Sequence, residues 1–291
     1  MSKKTTLIHL DCDDQASVFD RVVAIDSGID VLFSYSNVKP EQVRDLVHGA
    51  IFTRGSKDLH RTAIFIGGSN VAKAQEIHAQ VQYSMIPQYG LTVSSMMDAN
   101  GCNTTAVAAV RTILKSINCS NATALILAGT GPVGQRVASL LARVGCLVFV
   151  ASRNLEKAQI VSSNISSKRK QSSVQGVSPE NQKELRKIIE KCDILVGCGT
   201  PGVKLAEKNT WALPNIKLAL DLNGVPPSGL EGIEPTDTNN QREGINCFGA
   251  LGIGRLKMTI HRKCILALFE NNQTVLEEDT IFDLSESVSR S

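Results

Sequence analysis

The feature that most constrains this chain is a glycine run, Gly129-Thr130-Gly131-Pro132-Val133-Gly134, set between a short apolar segment and an amphipathic one. Residues Thr123–Ala128 read as a buried strand. In the segment that follows, Val133, Val137, Leu140, Leu141 and Val144 share one helical face. Gly-x-Gly-x-x-Gly in that setting is the fingerprint of a dinucleotide-binding unit. Gly129 permits the tight turn, Gly131 lets the backbone approach a pyrophosphate, and Gly134 allows the helix to pack closely on the strand. Thr130 and Val133 complete the loop, and the free N–H groups at the helix start can hold phosphate oxygens. Pro132 costs little there, because a first-turn N–H has no helical acceptor to lose. A plain glycine-rich turn is the competing reading.

Cofactor choice is read at the end of the next strand, Leu147–Ala151, where NAD enzymes place a carboxylate for the ribose 2′-hydroxyl. Here the strand runs into Ser152-Arg153-Asn154, with Lys157 one turn on and no acid before Glu156. An acid would repel a 2′-phosphate, whereas Arg153 can grip one as a charge-assisted fork and Ser152 can donate to it. NADP is therefore expected over NAD, with NAD possible. The alternative is that Arg153 and Lys157 are ordinary surface charges.

Short apolar runs alternate with helical patterns elsewhere, which predicts an α/β fold with parallel sheets. Leu7–Leu10, Val31–Phe33, Ala63–Ile66 and Leu91–Met97 read as strands, and Pro40–Val47 as a helix. Ser69 or Asn70 can cap a helix whose apolar face is Val71, Ala74, Ile77, Val81 and Met85. Asn103–Ile117, Asn154–Ile165 and Pro179–Lys191 read as helices, and Asp193–Val196 and Lys217–Leu220 as strands. A glycine turn at Gly249–Gly254 precedes an amphipathic helix from about Arg255 to Phe269, and an acidic helix closes the chain from about Glu277 to Val288. Ser166–Ser178 reads as a polar, mobile surface insertion, with Lys168-Arg169-Lys170 a solvated loop.

With 291 residues the chain has room for two domains. A net charge of +3 without clustered Lys and Arg argues against nucleic acid. No apolar run reaches the roughly 20 residues of a membrane helix, and the start of the chain lacks a signal-peptide pattern. Eight scattered cysteines, none in a Cys-x-x-Cys pair, suggest reduced thiols in the cytoplasm. Cys192 and Cys198 have no close histidine, so no metal site is expected. The five histidines show no dyad spacing; His261 reads as a surface or interface residue, and the lone Trp211 as packed under a loop.

Six segments together resemble one family. They are Ser17-Val18-Phe19-Asp20, Phe52-Thr53-Arg54-Gly55, Ala63–Gly68, Asp98–Ala106, Ala128–Gly134 and the late turn Phe248–Lys257. In them the chain is similar, from about Leu7 to Phe282, to the methylene-tetrahydromethanopterin dehydrogenases, NAD(P)-dependent enzymes of bacterial one-carbon metabolism. A more distant likeness, to methylene-tetrahydrofolate dehydrogenase/cyclohydrolases, implies the domain plan. Residues 1–102 with about 256–291 would form a substrate-binding, catalytic α/β domain, and 103–255 an NADP-binding Rossmann-type domain, with the active-site cleft between them. The cyclohydrolase pair Tyr-x-x-x-Lys has a counterpart in Tyr35 and Lys39, but Pro40 biases Lys39 away from a helix, so cyclohydrolase activity is not expected.

The resemblance implies hydride transfer from the methylene carbon of a reduced pterin to the nicotinamide, giving a methenyl cation, and a homo-oligomeric enzyme. No general base is required, so the protein's work is positioning and electrostatic help to a developing cation. Asp20 and Asp98, at the ends of β/α elements, are the candidate carboxylates, with Lys257 beside them as a catalytic candidate. Asn100, Asn103, Thr104, Thr53, Gly252 and Gly254 are substrate-binding candidates. Asp221 and Asn223, at the end of a strand, are expected near the nicotinamide. A methylene-tetrahydrofolate or other dehydrogenase of the same fold, and a non-catalytic NADP-binding regulator, remain the alternatives.

Overall fold

The computed structural model describes residues 3–170 and 173–289. The chain divides into two compact units, Met1–Thr104 with Met258–Ser291, and Thr105–Lys257.

In the first unit strands and helices alternate: β1 (Thr6–Asp11), α1 (Val18–Asp26), β2 (Val31–Tyr35), α2 (Val43–Phe52), β3 (Thr62–Gly67), α3 (Val71–Tyr83) and β4 (Ser94–Met97). Ser17 caps α1 by accepting from Asp20 N (3.2 Å), and Asn70 caps α3 by accepting from Lys73 N (3.1 Å). Val71, Ala74, Ile77 and Val81 lie on the buried face of α3, as the spacing requires, whereas Met85, expected on the same face, falls past the helix end at Tyr83. The strand expected from Leu91 starts only at Ser94, because Leu91 is held in a turn by pairing with Ile86.

The second unit begins within α4 (Cys102–Ser116). Its elements are β5 (Thr123–Leu127), α5 (Pro132–Arg143), β6 (Leu147–Ala151), α6 (Leu155–Arg169), β7 (Val174–Val177), α7 (Gln182–Ile189), β8 (Ile194–Gly197), α8 (Lys208–Trp211), β9 (Leu218–Asp221), β10 (Thr238–Arg242) and β11 (Ile245–Gly249). The seven strands lie in the order β10-β11-β9-β8-β5-β6-β7, all parallel except β10. Numbered by appearance from β5 and leaving out β10, that is the order 3-2-1-4-5-6 of doubly wound dinucleotide-binding domains.

The chain then runs through α9 (Gly254–Ala267), β12 (Val275–Leu276), α10 (Glu278–Leu284) and α11 (Glu286–Ser289). The expected last helix is thus broken at Ser285. β12 completes a five-stranded parallel sheet ordered β12-β4-β3-β1-β2. Its two residues pair with Ser95 and Met96, and Glu277 Oε1 beside it lies 2.7 Å from the Nδ1 of buried His78. Among the described residues no helix is long and apolar enough to cross a membrane.

The described residues of the segment expected to be a mobile insertion, Ser166–Ser178, belong largely to regular elements. α6 continues to Arg169, whose guanidinium donates to Ser139 Oγ (2.7 Å) and Ser139 O (3.0 Å), so the basic cluster is anchored at its centre rather than solvated. Residues 171 and 172 lie outside the described residues. The remainder is β7, an edge strand of the sheet, with α6 set directly on it: a Cβ at Gly176 would fall 2.5 Å from the carbonyl carbon of Ala158. Trp211 is 1% exposed and donates from Nε1 to Glu231 O (3.1 Å), under a loop as expected.

The Gly176→Ala variant is expected to lose about 1–3 kcal/mol of stability, because helix backbone cannot yield as a side chain can. Urea unfolding of the two proteins measures it, and an unchanged midpoint would count against this packing.

Candidate functional site

The candidate site residues fall into two groups, one in each unit. In the second, β5 is followed by Ala128, which turns the chain in a left-handed conformation (φ 52°), and Gly131 stands at the cap of α5. The three glycines are not equivalent. A Cβ on Gly129 would meet Ile126 O at 2.8 Å and Val150 Cγ1 at 2.9 Å, and one on Gly134 would meet the Cα of Gly129 at 2.7 Å. These two are required by packing. A Cβ on Gly131 would meet nothing nearer than Ala128 O at 3.5 Å, an ordinary contact. The protein's own packing does not need Gly131 to be bare, so its backbone is left open to close approach by a ligand.

A cavity of about 480 Å³ opens at this loop. Ala128, Thr130 and Gly131 line one wall and Ser152 and Arg153 the end of β6. Thr130 Oγ1 donates to Ser152 Oγ (3.4 Å), tying the glycine loop to that strand end. Arg153 is exposed and has no hydrogen-bond or ion-pair partner among the described residues, so its guanidinium is available to an anion. Lys157 is exposed on the first turn of α6, outside the lining, and its backbone N–H donates to the capping Asn154. Sequence reasoning missed the opposite wall, which comes from the β7–α7 and β8–α8 loops and includes Asn181, Thr200, Lys204 and one acid, Glu180. Those residues follow strands whose order only the sheet reveals. Pro132, Val133, Gly129 and Gly134 shape the loop from behind it.

Asp221 and Asn223 do not line this cavity. Asp221 is buried and accepts from Asn223 N (3.1 Å) and Leu230 N (3.0 Å); burial pushes its carboxyl above the usual range, against those bonds. Asn223 accepts from Val225 N and donates to Pro227 O. Together they staple a turn. Gly252 is also a packing glycine: a Cβ there would run into the carbonyl oxygen of Asp237, whereas one at Gly254 would meet open space. Lys257 lies in the first turn of α9.

In the first unit, β1, β3 and β4 end together at the carboxyl edge of the sheet, and polar side chains gather there. Asp98, directly after β4, is fully buried. Its Oδ1 accepts from Asn103 N and Thr104 N (2.9 Å each) and its Oδ2 from Thr104 Oγ1 (2.6 Å). It thereby anchors the start of α4, and Asn103 adds a bond from Nδ2 to Met97 O (2.6 Å). Asn100 is exposed in a left-handed conformation (φ 52°), and Thr53 is exposed at the end of α2. Asp20, in the first turn of α1, is partly exposed.

His261 is not a surface residue. Its ring is 1% exposed, with Nδ1 3.4 Å from Asp98 Oδ2 and its centroid 5.6 Å from that of Phe65. The buried face of α9 turns it inward, which five unrelated histidine spacings could not reveal. His9 on β1 was likewise missed. Its Nδ1 lies 3.2 Å from Ser34 Oγ and its Nε2 3.5 Å from Asp11 Oδ2. Burial lowers His9 to about 4, over the opposing pull of Asp11, so the ring is neutral near pH 7 and this contact is not an ion pair. His9, Asp11 and Asp20 have donor atoms within 4.8 Å of one another. Asp11, however, already accepts from the backbone N–H groups of Asp13 (2.9 Å) and Ser17 (2.8 Å), which suits an anchored carboxylate better than a metal ligand.

Comparison with known proteins gives two family matches. The model for methylene-tetrahydromethanopterin dehydrogenase, N-terminal, matches residues 18–100, and that for the saccharopine dehydrogenase NADP binding domain matches residues 125–206. The bifunctional protein MdtA of Methylorubrum extorquens is 37% identical over 292 residues, covering 99% of this chain and 100% of the relative. The NAD(P)-dependent methylenetetrahydromethanopterin dehydrogenase of the same organism is 29% identical over 260 residues, covering 83% and 84%. Among solved structures, quinate dehydrogenase from Corynebacterium glutamicum in complex with NAD aligns over 98% of this chain and 99% of its own with a TM-score of 0.53. At 13% identity that likeness shows the fold alone.

Two measurements probe these groups. Gly131→Ala is expected to keep its melting temperature while weakening dinucleotide binding by about tenfold or more, a loss of roughly 1.4 kcal/mol, in a fluorescence titration. Equal affinity would mean that no ligand backbone lies on Gly131. For His9, the folded value near 4 is below the ordinary 6.5, so the unfolded chain takes up the proton first. Stability is full above pH 6.5 and falls as pH drops towards 4, by up to about 3 kcal/mol from this group. Urea unfolding at pH 7 and 4.5 should show a smaller loss in His9→Gln than in the wild type.

Proposed function

Because the chain belongs to the methylene-tetrahydromethanopterin dehydrogenase family, we propose that it oxidises the methylene bridge of a reduced pterin with NADP as acceptor. The observation that carries this reading is the cavity at the glycine loop, where bare Gly131 faces Arg153 at a strand end that holds no carboxylate. That arrangement fits a dinucleotide with a 2′-phosphate: α5 offers N–H groups to the pyrophosphate, Arg153 a fork to the extra phosphate, and Ser152 a hydroxyl beside it. NAD remains usable, since nothing at the end of β6 excludes a plain ribose.

A bound nicotinamide would supply the acceptor for a hydride from the methylene carbon, and the positive charge left on the pterin would be shared by its two nitrogens. The chain's own residues orient and stabilise. Asp20, the partly exposed carboxylate at the sheet edge, supplies negative charge towards the developing cation. Asp98 acts indirectly, holding Asn103 and Thr104 in place. Lys257, Asn100, Thr53 and Gly254 are assigned to the pterin side. The eight free cysteines suit a reducing cytoplasm. A homo-oligomer is supported by apolar side chains left exposed on α1 and β2, among them Val18, Val22, Ile25 and Phe33.

Initial rates of the purified protein with methylene-tetrahydromethanopterin, followed by nicotinamide absorbance, test the reading. NADP should be preferred over NAD, and Arg153→Ala should raise the KM for NADP by about tenfold to a hundredfold while leaving that for NAD nearly unchanged. Equal use of both cofactors would remove Arg153 from the account. NADP binding without hydride transfer would point to another substrate or to a regulatory protein.

A further inference from the structure

Lys204 stands in the cavity wall across from the glycine loop, on the segment between β8 and α8. Arg153 and Lys204 are the cations of that lining, and Glu180 is its acid. NADP brings a charge that one guanidinium does not balance, because a phosphate monoester carries about −1.5 to −2 near pH 7. The pyrophosphate has the N–H groups at the start of α5. The extra phosphate has Arg153 and the Ser152 hydroxyl, in a cavity that also holds the negative charge of Glu180. Lys157, the next basic residue along the chain after Arg153, lies outside the lining. A second cation for this phosphate therefore has to come from the opposite wall.

The backbone that carries Lys204 is fixed, and its side chain is not. Leu205 N and Ala206 N both donate to Gly229 O (2.7 and 3.1 Å), Glu231 N donates back to Ala206 O (3.1 Å), and Gln182 Nε2 donates to Leu205 O (3.4 Å). These bonds bring Glu231 next to Lys204. Lys204 Nζ donates to Glu231 Oε1 (3.2 Å), while Oε2 accepts from Lys208 N (3.0 Å). The Lys208 N–H and then the Lys204 ammonium hold the Glu231 carboxyl below its usual range. Both side chains are nearly half exposed, so water screens the pair and it adds little to the stability of the fold. Glu231 keeps its backbone donor when the lysine leaves, and the exchange strands no buried group. We propose that Lys204 is a second specificity-determining residue for the cofactor, leaving Glu231 to share the 2′-phosphate of NADP with Arg153. The two cations suit the task in different ways. Arg153 presents a flat fork that sets direction, and Lys204 brings a point charge on a flexible stem that can follow the phosphate.

The proposal rests on the reading of this cavity as the NADP site. Calorimetric titration with 2′,5′-ADP, and with 5′-AMP, which lacks the 2′-phosphate, tests it without turnover. Lys204→Met should weaken 2′,5′-ADP binding by about fivefold to thirtyfold and leave 5′-AMP nearly unchanged. Lys204→Arg, which keeps the charge, should retain most of the affinity. Glu231→Gln still accepts from Lys208 N but no longer attracts the ammonium, and should tighten 2′,5′-ADP by roughly twofold to threefold. Melting temperatures should stay put, since Lys204 is exposed. In initial rates the same division should appear as a raised KM for NADP in Lys204→Met with that for NAD unchanged. Equal weakening of both nucleotides would move Lys204 to the 5′-phosphate, and unchanged binding of both would leave it with Glu231; either result overturns the proposal. A wild type that binds 2′,5′-ADP no better than 5′-AMP would refute the NADP reading of the cavity, and this proposal with it.

Discussion

The second unit depends on how closely one helix approaches one strand. α5 comes down on β5 until Gly134 touches Gly129, with no room for a side chain on either. That contact fixes the height of the helix start above the sheet, and therefore where its free N–H groups point. The same device recurs where Gly176 lets α6 settle on β7, and where Gly249 and Gly252 fit against the carbonyls of residues 234–237. Against this pattern Gly131 stands out. It is the one glycine of the loop whose bareness serves no internal contact, and it lies in the cavity wall. Dispersion and burial set the other two; the third leaves backbone open at the cavity wall.

The first unit is organised by carboxylates placed at strand ends. Asp11 and Asp98 end their strands fully buried, and each accepts two backbone N–H groups from the chain that follows. A buried carboxylate is tolerable only with such partners, and in return it satisfies donors that a helix start leaves open. Asp20, in the first turn of α1, is by contrast partly exposed. Burial and hydrogen bonding thus separate the roles of three chemically identical groups. Two hold the backbone, and Asp20 keeps part of its side chain exposed.

The histidines show how burial overrides side-chain type. His9 and His261 flank Phe65, close to Asp11 and Asp98 respectively. Desolvation keeps His9 uncharged in spite of a neighbouring acid, so electrostatics at this edge is set by the carboxylates and by how they are oriented.

Much of this was legible in the residues themselves. A strand, a glycine loop and an amphipathic helix are local patterns, and Arg153, two residues past the next strand, is reached by counting; so were the cap at Asn70 and most of the buried face of α3. Family-specific segments such as Asp98–Ala106 and Gly249–Lys257 carried the reaction. What the sequence could not supply was pairing between distant segments. β7 and β12 have four and two residues, too few for periodicity to show, and exist because a neighbouring strand offers hydrogen bonds. Asp221 and Asn223 looked like cofactor ligands by position, but the nearby turn consumes their polar atoms. His261 looked exposed because its burial depends on which face of α9 meets the sheet edge. Chain-local chemistry determined the cofactor loop and the class of enzyme; only tertiary packing decided which polar groups were spent on structure and which were left for chemistry.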